Sequence, residues 1–150
     1  MKPLDDPLEG LPRQHQTRRN QHIGWQLVKS AQDSISGAIK AAGILNGVVN
    51  NAASAAAPHF KGLDSYLARQ LLTVAKLIEG RAQTGLKRQI FFVSQGGYDT
   101  HSDQMSDHAN RLTDLGASLK AFYDATATLG VASQVTSFTM SDFGRTLKPN

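Results

Sequence analysis

The run Ile90-Phe91-Phe92-Val93, followed at once by Gly96 and Gly97, constrains this chain more than any other stretch. Four successive apolar residues put apolar side chains on both faces of an extended segment. That pattern fits a central parallel strand better than an antiparallel strand with one wet face. The double glycine then permits a sharp turn and close approach of a ligand to the main chain.

The segments on either side extend this reading. Apolar positions recur at helical spacing from about Ile23 to Leu45. A second helix is predicted from an N-cap at Asp64 or Ser65 to Glu79, with Gly80 as its stop and Leu67, Leu71, Val74, Ala75 and Ile78 inward. A third begins near Ser102 or Asp103 and ends before Gly130, with a stripe of Met105, Ala109, Leu112, Leu115, Leu119 and Phe122. A second strand is expected over roughly Gln134 to Met140. Strand, long helix and strand make a βαβ unit, and such crossovers are right-handed. The fold class expected is therefore α/β: a partial, doubly wound parallel sheet preceded by two or more helices.

Three regions result. Residues 1–22 hold three prolines and mixed charge and read as an extended lead-in. Residues 23–62 are helical and of low complexity; within them "NNAASAAAPHF" reads as a loop suited to insertion or flexibility. Residues 63–150 carry the α/β domain.

The chemistry converges on one edge of that sheet. Parallel strands would place "GGYDTH" and "SDFGRT" together at their C-terminal ends, where open α/β sheets bind ligands. Asp99 and His101 offer an oxygen and an imidazole nitrogen, a set suited to zinc, manganese or iron. They also fit a plain turn in which the aspartate accepts backbone hydrogen bonds. Asp142 can hold a metal or orient a ligand, and Arg145 can grip an anionic oxygen bidentately. Equally, an Asp142–Arg145 ion pair can close a turn around Gly144. Asp103, Asp107 and His108 read as a solvated helix face.

Composition excludes several classes. The chain has 150 residues and no cysteine, so disulfides and thiolate sites are absent. The net charge of +4 is scattered, without the basic face and interleaved aromatics of a nucleic-acid binder. No stretch approaches the ~18 apolar residues of a membrane span. Arg18-Arg19 precedes no hydrophobic core of a signal and reads as a basic surface turn.

From about Leu67 to Asn150, the pairing of Gly-Gly-Tyr-Asp-Thr-His with Ser-Asp-Phe-Gly-Arg-Thr resembles the bacterial domain of unknown function fifteen-oh-one. That family is placed with the alkaline phosphatase and sulfatase superfamily. The resemblance implies an alkaline-phosphatase-like fold and a metal-dependent hydrolase of small phosphate or sulfate esters. It implies a divalent metal (zinc, manganese or calcium) on Asp99 and His101, with Asp142 and Arg145 as catalytic residues, and export through the twin-arginine route. The sequence departs from the family in having no signal peptide, no early strand bearing a nucleophile, and no Asp-His-Gly motif after the Phe-Gly-Arg segment. The expectation is a fragment, inactive alone, that self-associates through its uncovered sheet. The competing expectation is a non-catalytic binding or assembly protein, or a truncated product without activity.

Overall fold

The computed structural model describes residues 13–144 of the chain. Four α-helices appear, with two short 3₁₀ helices: α1 Arg13–Val49, a 3₁₀ helix Ala57–Phe60, α2 Tyr66–Glu79, α3 Arg81–Thr84, α4 Gln104–Thr128 and a 3₁₀ helix Ala132–Gln134. The chain divides into two compact units between Ile44 and Leu45.

In the first unit α1 is a single long helix that begins ten residues before the apolar pattern does. Arg18 and Arg19 therefore lie on a helix, not in a turn. Its apolar positions Ile23, Leu27, Val28, Ile35 and Ile39 are exposed. No helix among the described residues is long and apolar enough to cross a membrane.

The second unit is built on α2 and α4. Ser65 caps α2 by accepting the Ala68 N–H at 3.0 Å, supplying one of the partners that a helix start lacks. Gly80 ends the helix, and a Cβ there would overlap both methyls of Val48, so the stop is also a close-packing point. Leu67, Ala68, Leu71, Val74 and Ala75 of α2 meet Ala121, Phe122 and Ala125 of α4 in the core, with Phe60 from the first 3₁₀ helix and Ala56 just before it. The alanines allow close helix approach, leaving Phe60 and Phe122 as the two buried aromatics.

"NNAASAAAPHF" is a loop up to Ala56, as its composition suggests, and the 3₁₀ helix closes it; its Ser54, Ala56 and Phe60 are buried. Glu79, in the last turn of α2, holds it in place. Its carboxylate accepts the Ser54 hydroxyl at 2.6 Å and the Ala55 N–H at 3.0 Å, and so supplies acceptors just before the 3₁₀ helix. Lys76 donates to the Val49 carbonyl at 2.8 Å, capping the end of α1. His59 is tied to Thr128 at 2.9 Å.

Partial burial of Glu79 pushes its pKa upward. The hydrogen bonds from Ser54, Ala55 and Ala56, with the charge of Lys76, outweigh that push and hold it below the usual 4.5. A depressed folded value means a stabilisation that is complete above 4.5 and is lost as pH falls through the folded pKa. Thermal melts of Glu79→Gln should therefore show a flatter loss of stability below that pH than the unaltered chain. Parallel acid limbs in the two proteins would contradict the linkage.

The expected α/β fold is overturned. Among the described residues there is no strand and no sheet, so neither the doubly wound parallel sheet nor an alkaline-phosphatase-like architecture is present. The two apolar segments flank α4 as predicted, but among the described residues neither pairs its backbone with another extended segment, and a β ladder cannot exist without that. Instead the Gln70 carboxamide donates to the Ser94 carbonyl at 2.8 Å and accepts the Ser94 N–H at 3.1 Å, where a neighbouring strand would pair. Val93 and Val135 pack against the helical core. Ile90 is 100% exposed and Phe92 92%, while Phe138 and Met140 are 80% and 88% exposed. Apolarity on both faces marks a segment suited to burial; it does not supply the second backbone.

Candidate functional site

The Gly96–Asp103 loop enters α4, and its backbone is fastened to that helix. Arg111 donates from Nη1 to the Gly96 carbonyl at 2.9 Å. Gly97 has φ +86°, in the left-handed region open to glycine, and a Cβ there would overlap the Arg111 guanidinium. Gly97 is therefore favoured twice over, by backbone angle and by space, while a Cβ at Gly96 would meet nothing.

Further anchors lie on either side. Gln95 donates to the Asp114 carboxylate at 2.8 Å and to the Arg111 carbonyl at 3.2 Å. The Tyr98 hydroxyl donates to the Gln95 side-chain oxygen at 2.7 Å. His108 Nε2 lies 3.0 Å from the Tyr98 carbonyl, an acceptor that requires the proton on Nε2. The two rings also meet edge to face, with centroids 5.6 Å apart.

Asp103 is the N-cap residue of α4, as its position in the sequence suggests. It sits at φ 51°, a left-handed conformation that aspartate tolerates, and its side chain makes no capping bond. Its carbonyl accepts the Asp107 N–H at 3.0 Å and the Ser106 hydroxyl at 2.9 Å.

Asp99 and His101 project from this fastened loop with exposed side chains that make no hydrogen bond or ion pair among the described residues. Asp142 is also exposed, beside a turn closed by the Phe143 N–H donating to the Ser141 hydroxyl at 3.1 Å. No hydrogen bond or ion pair joins Asp142 to Asp99 or His101. Arg145 lies outside the described residues.

An oxygen from Asp99 and a nitrogen from His101 suit a divalent cation in kind. In number they fall short: among the described residues no group of three or more His, Asp or Glu side chains could hold a metal ion.

Gln70, Gln95, His108, Arg111 and Asp114, which fix the loops, are absent from the sequence-based list. His108 was expected on a solvated face and instead faces Tyr98. A signal for two of them exists. Counting back from the buried Ala125 and Phe122 in steps of three and four gives Ser118, Leu115, Arg111 and His108, so the loop anchors continue the inward face of α4.

No curated protein and no solved structure matches the chain significantly. A family model does match it, over residues 13–150. With nearly the whole of its length covered, the chain belongs to the family described as protein of unknown function (DUF1501).

Proposed function

We propose that this chain is part of a metal-dependent hydrolase-like protein acting on small anionic esters of the phosphate or sulfate class. Asp99 and His101 are two ligands of a divalent cation: zinc, manganese or calcium. The observation that supports this reading is a contrast within one loop. Its backbone is held by Arg111 and His108, while its two donor side chains stay exposed and uncommitted among the described residues. Fixed backbone with free donors is what a preorganised ligand pair requires.

Asp142 orients a ligand, and Arg145 grips the ester's anionic oxygens through its planar fork of donors. A cation so held would polarise the ester oxygen and activate a nucleophile. Because two donors do not close a site, the remaining ligands come from outside the Asp99–His101 pair. The hydrolytic part of the reading rests on the two motifs and not on the fold.

A second reading has its own support. The exposure of Ile90, Phe92, Phe138 and Met140 favours a non-catalytic assembly role in which these residues meet another molecule.

One experiment separates the two. Mn²⁺ titration of the unaltered chain, of Asp99→Ala and of His101→Ala is followed by sedimentation of the same samples. Binding that disappears in both variants supports the ligand assignment. Unchanged metal content in the variants sinks it. Absence of metal together with concentration-dependent association favours the assembly role.

A further inference from the structure

We infer that α1 is a self-pairing helix, whose apolar seam packs antiparallel against α1 of a second copy of this chain. The pairing is independent of the site loop and of the extended segments around Phe92 and Phe138.

A helix in a folded protein draws most of its stability from an apolar face buried against something else. α1 runs for 37 residues, and within the first unit the described residues hold no other element to cover it. Gly24, Gly37 and Gly43 weaken the helix further, and a Cβ at any of them would meet nothing. Ile35, at the middle of the apolar face, is 59% exposed.

The spacing of the apolar residues identifies the partner. Val28, Ala31, Ile35, Ala38, Ala42 and Leu45 follow one another in alternating steps of three and four. That period is the one by which helices supercoil around each other. Leu27 and Ile39 widen the seam on its two sides. No charged side chain sits in it, so no like charge opposes the approach of an identical seam. The polar residues lie on the far face and satisfy one another: Lys29 meets Asp33 at 3.3 Å, and Gln26 meets His22 at 2.9 Å. A helix lying on a membrane surface would carry a row of cations there, whereas Asp33 neutralises Lys29.

Size and charge set the direction. In an antiparallel pair Val28 meets Ala38 of the second copy, and Ile35 meets Ala31. Large against small fills each layer, while a parallel pair would stack alanine on alanine and leave voids. The same register brings Arg18 and Arg19 beside residues 47 and 48 of the second copy. α1 has no acidic residue in its first turn and no basic residue in its last, so its own charges do not complement its dipole. Antiparallel pairing supplies cations to each C-terminal turn.

The test uses the full chain between about 1 and 300 µM, a range that brackets a weak dimer. Sedimentation equilibrium should show monomer passing to dimer. Trp25, the single tryptophan, borders the seam at 62% exposed, so its emission should move to the blue over the same range. Ile35→Lys should weaken association about tenfold or more, because it sets like charges together in the seam, and should leave the α2 amides protected. Ser30→Lys adds the same charge on the far face and should leave association unchanged. The chain has no cysteine, so a spin label can be placed on His22→Cys alone. Two such labels should lie roughly 33 Å apart, the reach of the 22 residues between them in the antiparallel register. A separation within about 20 Å, as helices side by side in parallel require, overturns the arrangement. A monomer at every concentration overturns the inference, whether or not phosphatidylserine vesicles recruit it. Association that survives Ile35→Lys but is lost in Phe92→Ser places the contact on the extended segments and overturns it as well.

Discussion

Phe122→Ala should lower the stability of the second unit by about 3–5 kcal/mol, the range for removing a buried aromatic. Phe122 is 6% exposed, and its neighbours in the core include Ala56, Ala68, Ala75, Ala121 and Ala125. Alanine side chains cannot reach into the space a phenyl ring vacates, so the cavity persists and the effect belongs near the upper end. Domains of this size are stable by only about 5–15 kcal/mol, so the loss is a large share of the total. Leu112→Ala is the matched control. That side chain is 57% exposed, so its removal should change stability by no more than about 0.5 kcal/mol. Urea titrations read both, as a shift in midpoint at constant slope. Comparable losses in the two variants would mean that α4 presents a different face to the core.

That pair of variants also isolates where the sequence could be read and where it could not. The limits of α2 and α4 were legible because local chemistry sets them: the Ser65 cap, the Gly80 stop and the Asp103 start act within a turn of their own positions. The buried face of α4 was legible only in its second half, where Leu115, Leu119 and Phe122 meet the core. Hydrophobicity alone draws the stripe through Met105, Ala109 and Leu112, all of which are exposed. The face that packs carries His108, Arg111 and Ser118, whose hydrogen bonds are made to partners distant in sequence or on a neighbouring turn. Polar groups that are satisfied on packing look, in a sequence, like polar groups that face water.

The same limit explains the missing sheet and the unforeseen burial within the alanine stretch. Ile90–Val93 has the composition of a strand, but pairing is a property of two segments, and Gln70 takes the place of the second only at Ser94. "NNAASAAAPHF" holds one large apolar side chain, yet Glu79 fixes it from twenty-five residues away in the chain, and Ala56 and Phe60 are buried. At the candidate site, the Gly-Gly turn and the two exposed donors were legible. Of the anchors, only the inward placement of His108 and Arg111 can be counted back from Phe122; nothing in "HANRLTD" reveals that its arginine lies against a glycine fourteen positions earlier.

Gly97→Ala should release the site loop without unfolding the core. At φ +86° an alanine pays roughly 1–2 kcal/mol for the left-handed conformation. Its Cβ would also push the Arg111 guanidinium aside and with it the bond to the Gly96 carbonyl. Against this stand the bonds from His108 to Tyr98 and Gln95 to Asp114, each contributing about 0.5–1.5 kcal/mol net. Strain and docking are thus of similar size, so the loop detaches before the α2–α4 contact gives way. The Thr100 amide, bonded to the Tyr98 carbonyl at 3.1 Å, should lose most of its protection, while the urea midpoint moves far less than in Phe122→Ala. A midpoint as low as that of Phe122→Ala would place the loop inside the cooperative core. Unchanged protection would mean that the turn tolerates a side chain and that Gly97 does not hold Arg111 in its place.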